Sequence, residues 1–156
     1  MKGDNQVIGG LNEVLLADLT ATNMYHIHCR MEDRWGYKKL AKHARDGFAD
    51  ELRHADKVIE RILFLEGVPD MAKYGAIQVG NSCEEHLKNE YASETEHVKL
   101  LRKIISICID KKDFATKEIL DKILEETEEQ CDWLEAQFQR IKDVGIENYL
   151  SEHMHE

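Results

Sequence analysis

The chain has 156 residues with 31 acidic and 21 basic side chains, and its net charge of -10 argues against nucleic acid and anionic membranes as partners. No apolar run approaches the ~18 to 20 residues that a membrane-spanning helix needs, and no charged segment followed by an apolar one opens the chain. We therefore expect one cytoplasmic domain over residues 1–156 that binds neither nucleic acid nor membrane.

Hydrophobic residues recur with helical periodicity in four long segments. The predicted helices run from about Asp4 to Trp35, from about Tyr37 to Glu66, from Ser82 to about Lys111 and from Asp113 to about Val144, with a short fifth helix over about 146–155. Asp4, Ser82 and Asp113 are residue types that cap helix N-termini, and Gly36 and Gly145 are typical of helix ends.

Between the second and third helices the periodicity fails, and Pro69, Gly75 and Gly80 interrupt the pattern. The connections before the second and fourth helices are short, so the helices that they join are predicted to be antiparallel. The roughly fourteen residues of the long connection can just span a helix length at ~3.3 Å each. Two short turns around one long crossover predict an all-α, ferritin-like four-helix bundle with a short fifth helix.

The second predicted helix carries Glu51 and His54, which are three residues apart and therefore share one helix face. Glu-x-x-His is typical of di-iron four-helix bundles, because oxygen and nitrogen ligands suit divalent transition metals. Asp18 and Glu94 lie within about one turn of the midpoints of the first and third helices, at the level of Glu51. Buried carboxylates need a counter-charge, so we predict a metal site at this level. The alternative is that Asp18 and Glu94 lie on a solvated helix face.

Several stretches around the Glu-x-x-His resemble bacterioferritin and together extend along the whole chain. They are Met1-Lys2-Gly3-Asp4, Arg30-Met31 with Trp35-Gly36, residues 59–67, residues 132–135 and residues 145–150. The resemblance implies a hollow 24-subunit shell that stores iron as a mineral and carries a di-iron oxidation centre inside each subunit. It also implies haem, held between two-fold related subunits by paired methionines.

Residue by residue, the resemblance places iron ligands at Asp18, Glu51, His54 and Glu94. Asp18 stands where the family has a glutamate and is shorter by one methylene, whereas the other three match. One iron site is therefore expected, with Asp18, Glu51 and His54 as its ligands. A second site would keep only Glu51 and Glu94, so we expect iron in a mono-iron or partial di-iron centre.

The fourth predicted helix lacks the ligands that the family supplies from it. Thr127 and Gln130 stand where a second Glu-x-x-His is expected, so a bridging carboxylate and a second imidazole are missing. Glu126, Glu128 and Glu129 are close in sequence, but one residue turns a helix by about 100°, so none points in the direction of position 127. We expect weak or absent Fe(II) oxidation by a shell built of this subunit alone.

The methionine that binds haem in the family lies between the glutamate and the histidine of the second helix, where this chain has Leu52. Leucine has no sulfur to bind haem iron. Met31 could line the same pocket, but a core position is the expected role of its side chain. We therefore expect no specifically bound haem.

Two residues near the predicted site have alternative interpretations. His97 follows Glu94 by three residues, so it either replaces the missing imidazole or is a surface histidine beside Glu96, and we favour the surface position. Tyr25, two turns after Asp18, is either a phenol hydrogen-bonded to a ligand or part of an ordinary core.

Two further pairs have a function only in an assembled shell. Asp46 and Asp50, four residues apart on the second helix, are candidate iron ligands on the inner surface, although a solvated face explains them equally well. The resemblance implies that the short fifth helix surrounds a four-fold pore, where His153 and His155 are candidates for a metal-sensitive or proton-sensitive ring. The alternative for this second pair is a frayed chain end.

Three functions are compatible with the sequence. The first is an iron-storage shell subunit with an impaired di-iron site and no haem, in a homo-oligomer or beside a catalytically complete bacterioferritin subunit. The second is an active ferroxidase that oxidises Fe(II) to Fe(III) through an altered site of Asp18, Glu51, His54, Glu94 and His97. The third is a non-storage protein that binds one metal or none and acts through protein partners. We favour the first.

Overall fold

The computed structural model describes residues 1–155, and the regular secondary structure of these residues is entirely helical. The helices are α1 (Asn5–Trp35), α2 (Lys38–Phe64), α3 (Cys83–Asp110), α4 (Phe114–Val144) and α5 (Ile146–Ser151). The four long helices begin and end within about two residues of their predicted limits. Over the described part of the chain, no helix combines the length and the hydropathy that crossing a membrane requires. The predicted all-α fold is confirmed.

The N-terminal caps form where the sequence predicts them. The Asp4 carboxylate accepts hydrogen bonds from two backbone N–H groups of the first turn of α1, at 2.8 and 3.2 Å. Ser82 accepts one at 3.2 Å from α3, and Asp113 accepts one at 3.0 Å from α4. Helix α1 ends at Gly36, whose φ of 91° is left-handed and carries no Cβ penalty in glycine. These caps set the residues at which α1, α3 and α4 begin, whereas α2 begins after Tyr37 without a side-chain cap.

The helices pack as two pairs, α1 with α2 and α3 with α4, and α1 also packs against α3. Apolar side chains from all four long helices form the largest core cluster, which includes Val7, Leu11, Val58, Ile62, Leu101, Ile104, Leu120 and Ile123. Two smaller apolar clusters occupy the other end of the bundle. The middle of each helix therefore lies between apolar clusters, and buried polar side chains occupy this level.

The connection between α2 and α3 runs along α1. The Asn12 amide donates to the Val68 carbonyl oxygen at 3.1 Å and accepts from the Asp70 N–H at 2.8 Å. Further along, the Thr20 hydroxyl accepts from the Gly75 N–H at 2.7 Å. Asn12 and Thr20 are about two turns apart, so the connection follows α1 for at least two turns. The predicted long crossover between the second and third helices is confirmed.

The fifth helix ends at Ser151, four residues earlier than predicted, because the chain then turns back onto the bundle. His153 is buried, and its ring packs on that of Tyr149 with centroids 4.0 Å apart. Its carbonyl oxygen accepts a hydrogen bond from the Lys39 N–H at 3.0 Å. The predicted frayed end is therefore wrong for His153. The side chain also does not face outward as a pore histidine would, whereas His155 is exposed.

Candidate metal centre

Five potential metal ligands meet at the middle of the bundle: Asp18 on α1, Glu51 and His54 on α2, and Glu94 and His97 on α3. Each side chain is at most 4 % exposed. Helices α1, α2 and α3 have similar lengths and α1 packs along both of the others, so residues near the helix midpoints lie at one level. The alternative in which Asp18 and Glu94 lie on a solvated face does not hold, because both are buried.

The ligand atoms form two overlapping groups. One ligand atom from each of Asp18, Glu51 and His54 lies within 4.8 Å of the other two, and the same is true of Glu51, Glu94 and His97. Glu51 belongs to both groups, which is the position of a carboxylate that bridges two metal ions. Each group offers two carboxylates and one imidazole, a mixed set that suits Fe(II) or Zn(II).

Many of these polar atoms make no hydrogen bond within residues 1–155. The buried atoms without a partner include both oxygens of Asp18, Glu51 Oε2, His54 Nδ1, Glu94 Oε2 and His97 Nε2. His97 Nε2 and Asp18 Oδ1 are only 3.0 Å apart, but their angles do not suit a hydrogen bond. An unpartnered buried polar group costs about 1–3 kcal/mol, so a cation bound to these atoms would offset a considerable cost.

His97 is a core residue, and the favoured prediction of a surface histidine is wrong. Its side chain is 4 % exposed, whereas that of the neighbouring Glu96 is 73 % exposed. The spacing of Glu94 and His97 repeats that of Glu51 and His54, so the signal is present in the sequence. The prediction missed His97 because the resemblance to bacterioferritin places the second imidazole ligand on the fourth helix.

Helix α4 reaches the edge of the centre through Glu126, although we expected no acid of this stretch to replace a helix-four ligand. The Glu126 carboxylate accepts hydrogen bonds from His54 Nε2 and from the Arg53 guanidinium, the latter at 2.6 Å. His54 Nδ1 then faces Glu51, whose Oε2 is 3.6 Å away. A ligating imidazole commonly donates its other N–H to a carboxylate, and the contact with Glu126 leaves His54 Nδ1 directed towards the other candidate ligands.

The two positions that lack the family's ligands make other contacts. Thr127 is buried, and its hydroxyl donates to the Ile123 carbonyl oxygen at 2.7 Å within α4. The Gln130 amide donates to the Tyr25 hydroxyl at 3.2 Å and lies 3.0 Å from His43 Nε2. In the described chain, neither side chain hydrogen-bonds to any of the five ligands.

Tyr25 connects the centre to α4. Its hydroxyl donates to Glu94 Oε1 at 2.9 Å and accepts from Gln130. The ring is buried, and it packs against Gly47 of α2, where an added Cβ would lie 3.0 Å from a ring carbon. Tyr25 is therefore the phenol bonded to a candidate ligand as well as a core side chain, and it fixes one Glu94 oxygen while leaving the other free.

Burial and neighbouring charges set the protonation of the metal-free centre. Burial raises the pKa of Asp18 to about 6 and that of Glu94 well above its ordinary value. Burial alone would lower the pKa of His54 and His97, but the neighbouring carboxylates outweigh it and raise both pKa values to about 9. Near pH 7 the imidazoles are therefore protonated without metal, and metal binding must displace these protons.

A cavity of about 340 Å³ opens between α2 and α4 and reaches the buried ligands. Its exposed rim is mainly acidic, with Asp50, Glu126 and Glu129 beside Arg53. Thr127 forms part of the wall, and its small side chain leaves room beside the ligands. A hydrated cation can therefore approach the centre through this opening.

Four residues that the sequence analysis considers for haem binding or for the inner surface of a shell are not among the buried ligands. Leu52 is 50 % exposed on the outer face of α2, and Met31 is half-buried on α1. Asp46 and Asp50 are both exposed, and each has a basic side chain at 3.5 Å. All four are therefore available for contacts outside the bundle core.

A second group of buried acids and imidazoles, which the sequence patterns did not predict, lies between α1 and α3. His28 Nδ1 is 3.0 Å from Glu90 Oε1, His86 Nδ1 is 3.0 Å from Glu32 Oε2, and the two rings stack with centroids 3.8 Å apart. His86 Nε2 is 2.9 Å from the Gly80 carbonyl oxygen, which fastens the crossover to α3. The i, i+4 spacing within each helix is the only sequence signal for this group. Its acid–imidazole contacts indicate a structural role.

The comparisons with known proteins agree with this geometry. Residues 8–144 match the family model of the ferritin-like domain. The chain is 36 % identical over 152 residues to "Bacterioferritin BfrA" of Mycobacterium tuberculosis, covering 97 % of this chain and 96 % of that protein. It is 37 % identical over 155 residues to "Bacterial ferritin" of Synechocystis sp., covering 99 % of each chain. The "Bacterioferritin" of Rhodobacter capsulatus is 36 % identical over 149 residues, 96 % of this chain and 92 % of that one. The chain therefore belongs to the ferritin-like family and is a homologue of bacterioferritins.

Proposed function

We propose that this protein is an iron-storage subunit of bacterioferritin type, which takes up Fe(II) and keeps it as an Fe(III) mineral inside a hollow shell. The observation that carries the proposal is the buried group of Asp18, Glu51, His54, Glu94 and His97, whose unpartnered atoms suit divalent iron. The names of its relatives, which match along nearly their whole length, support the same function. We further propose that residues 1–156 act as one domain in the cytoplasm.

Iron is the substrate and the cargo in this proposal. The acidic rim at Asp50 and Glu129 attracts hydrated Fe(II), and the carboxylates of the centre replace its water ligands. Oxidation of two Fe(II) ions to Fe(III) releases two electrons, which dioxygen accepts together with two protons to give hydrogen peroxide. Two metals about 3.5 to 4 Å apart can supply both electrons in one encounter, so a shared ligand such as Glu51 matters for the rate.

Because Thr127 and Gln130 replace the family's ligands on α4, the storage function has two versions, which differ in whether this subunit oxidises Fe(II) itself. Thr127 and Gln130 favour a storage subunit with an impaired centre, which relies on a catalytically complete partner subunit. The burial of His97 beside Glu94 favours a subunit that oxidises Fe(II) itself through an altered centre, and the geometry supports this second version best. Stopped-flow absorbance after anaerobic Fe(II) loading separates them. The second version alone has a fast oxidation phase that saturates at about two irons per subunit.

The proposed shell has 24 subunits, either all of this chain or mixed with a second bacterioferritin subunit. Exposed apolar side chains on α2 support assembly, since Leu52, Leu63 and Phe64 are 50 %, 58 % and 51 % exposed. Leu52 and Leu63 are three helical turns apart and share one face, which contact between subunits would remove from water. Light scattering of the metal-free protein should show a large shell. A monomer or dimer at micromolar concentration would contradict a shell of this chain alone.

The shell is proposed to bind no haem. Leu52 stands at the position of the family's haem ligand, and its side chain has no atom that coordinates iron. Protein expressed with abundant haem should lack a sharp Soret band, and Leu52→Met should gain one. Stoichiometric haem in the unmodified protein would contradict this part of the proposal.

Iron loading in air tests storage directly. Metal-free protein is mixed with a large excess of Fe(II) and passed through a gel-filtration column. We expect Fe(III) to elute with the shell and to form electron-dense cores in electron micrographs. A Glu51→Ala, His54→Ala variant, which lacks two ligands of the centre, should load iron more slowly. Iron that precipitates outside the protein would contradict the storage function.

A further inference from the structure

We propose that the second metal site of this subunit is formed by Glu51, Glu94 and His97, so that its ligands come from α2 and α3 and none comes from α4. It lies beside the site of Asp18, Glu51 and His54, and the two sites share Glu51. The inference rests on the proposed function only for the identity of the physiological metal, which is iron. The site itself follows from the positions and the free lone pairs of its ligands.

Helix periodicity brings His97 to the centre. His97 follows Glu94 by three positions, so both project from one face of α3, as Glu51 and His54 do from α2. The ligand atoms of the triad are within 4.8 Å of one another. Atoms bound to one ion at about 2.0–2.2 Å are roughly 3 to 3.5 Å apart, so modest side-chain rotations suffice to close the triad around a metal.

The triad has buried polar atoms that make no hydrogen bond to another protein group. Glu51 Oε2, Glu94 Oε2 and His97 Nε2 lack a hydrogen-bond partner among residues 1–155. Tyr25 holds the other Glu94 oxygen at 2.9 Å, which fixes the carboxylate and leaves Oε2 available. Three unpartnered buried atoms converge here within reach of one another, and a single cation between them would satisfy all three.

The expected ligand positions on α4 are engaged elsewhere. Thr127 donates its hydroxyl to a carbonyl oxygen of its own helix. The Gln130 amide contacts Tyr25 and His43, and the His43 ring stacks on Trp133 with centroids 3.4 Å apart. This stacked arrangement holds Gln130 beside Tyr25, where its amide supports the phenol that positions a ligand.

The competing interpretation is that protonated His97 is itself the cation of the centre. Its Nε2 is 3.0 Å from Asp18 Oδ1, so an imidazolium would neutralise Asp18. That contact involves neither Glu51 Oε2 nor Glu94 Oε2, and both of these buried oxygens would still lack a partner among residues 1–155. A divalent ion between Glu51, Glu94 and His97 neutralises both carboxylates at once, so it accounts for the burial of the whole group.

A titration of metal-free protein with Co(II) counts the sites without any redox step. Bound Co(II) is measured by equilibrium dialysis and by visible absorbance. We expect two ions per subunit for the unmodified protein, in keeping with the two ligand groups, and one ion for His97→Leu. His26→Leu, the same substitution at an exposed histidine of α1, is the matched control and should still bind two ions. Shell size by light scattering shows whether each variant is assembled.

A second variant distinguishes a ligand from a structural residue. His97→Cys should keep the second Co(II) and add an intense ultraviolet sulfur-to-cobalt charge-transfer band, since a thiolate is itself a ligand for such metals. A residue that only supports the packing would not produce that band. The unmodified protein, which already contains Cys29, Cys83, Cys108 and Cys131, is the spectral control.

Two results would overturn the proposed site. The first is that the unmodified protein binds only one Co(II) ion per subunit. The second is that an assembled His97→Leu shell still binds two Co(II) ions per subunit. Either result would leave iron storage unaffected, since storage is judged by Fe(III) that elutes with the shell. A shell that binds two Co(II) per subunit but retains no iron would contradict the storage function and leave the site intact.

Discussion

Replacement of Glu94 by glutamine should stabilise the metal-free protein and weaken its metal binding. Glu94 is 1 % exposed, and burial, followed by the nearby Glu51 carboxylate, raises its pKa well above the ordinary value. Glutamine has nearly the same shape, and its carbonyl oxygen can still accept the hydrogen bond from Tyr25. The substitution therefore removes mainly a buried charge and a metal ligand.

The expected gain in stability follows from the distance between the two carboxylates. The ligand oxygens of Glu51 and Glu94 lie within 4.8 Å of each other, where two unit charges repel by about 3.5 kcal/mol at an effective dielectric constant of about 20. Protonation of Glu94 relieves part of this repulsion. We therefore expect Glu94→Gln to raise the free energy of unfolding by about 1–3 kcal/mol at pH 7.

The gain should depend on pH in a defined direction. The pKa of Glu94 is raised in the folded protein, so its contribution to stability is fully present below the unfolded value of 4.5 and is lost as the pH rises through the folded value. The glutamine side chain does not titrate. The difference between Glu94→Gln and the unmodified protein should therefore be larger at pH 8 than at pH 5.

Thermal unfolding in the presence of a chelator measures this effect. A gain of about 1–3 kcal/mol corresponds to a rise in Tm of roughly 2 to 10 °C for a subunit of this size. Glu96→Gln, on the same helix at a side chain that is 73 % exposed, is the matched control and should change Tm little. An unchanged or lower Tm for Glu94→Gln would refute the reasoning that the carboxylates repel one another in the metal-free centre.

Three further substitutions test neighbouring parts of the site. Glu126→Gln should weaken Co(II) binding about 10- to 100-fold, because the α2 imidazole loses the carboxylate that orients it, and an unchanged affinity would exclude that role. Burial lowers the pKa of His43 from 6.5 to about 4, so stability present above pH 6.5 is lost as the pH falls towards 4. Between pH 7 and pH 5, the free energy of unfolding measured in urea should therefore fall by roughly 2 kcal/mol less for His43→Phe than for the unmodified protein. Equal decreases in the two proteins would contradict this. In a His97→Leu background, Thr127→Glu with Gln130→His should restore the second Co(II), since α4 then supplies a carboxylate and an imidazole; titration showing only one ion would argue against this exchange of ligands.

The bundle could be predicted because its determinants are local. Asp4, Ser82 and Asp113 cap helices through groups in the next turn, and these contacts depend little on the rest of the fold. Once the helix limits are known, long helices of similar length place their midpoints at similar heights. That reasoning brings Asp18 and Glu94 to one level without any tertiary information.

The directions of side chains around the centre could not be predicted in the same way. One residue turns a helix by about 100°, so the rotation of α3 decides whether His97 faces the core or the solvent, and packing sets that rotation. The reach of Glu126 depends on side-chain length and on the contact with Arg53, which no spacing reveals. The pairing of His28 with Glu90 requires the register of α1 against α3, which comes from tertiary packing.

The C-terminal segment shows the same division between local and tertiary information. The predicted fifth helix is confirmed as far as Ser151. Beyond this point the chain is fixed by the stacking of His153 on Tyr149 and by a backbone hydrogen bond to Lys39, which is more than a hundred residues away in sequence. The local sequence indicates a frayed end because it carries no information about these contacts with distant residues.

Anomalous diffraction at the iron edge, from crystals soaked anaerobically with Fe(II), tests the central claim most directly. We expect two iron positions in each subunit, about 3.5 to 4 Å apart, with Glu51 between them and His97 bound to one of them. A single iron position, or a second iron bound to Gln130 in place of His97, would contradict the proposed centre.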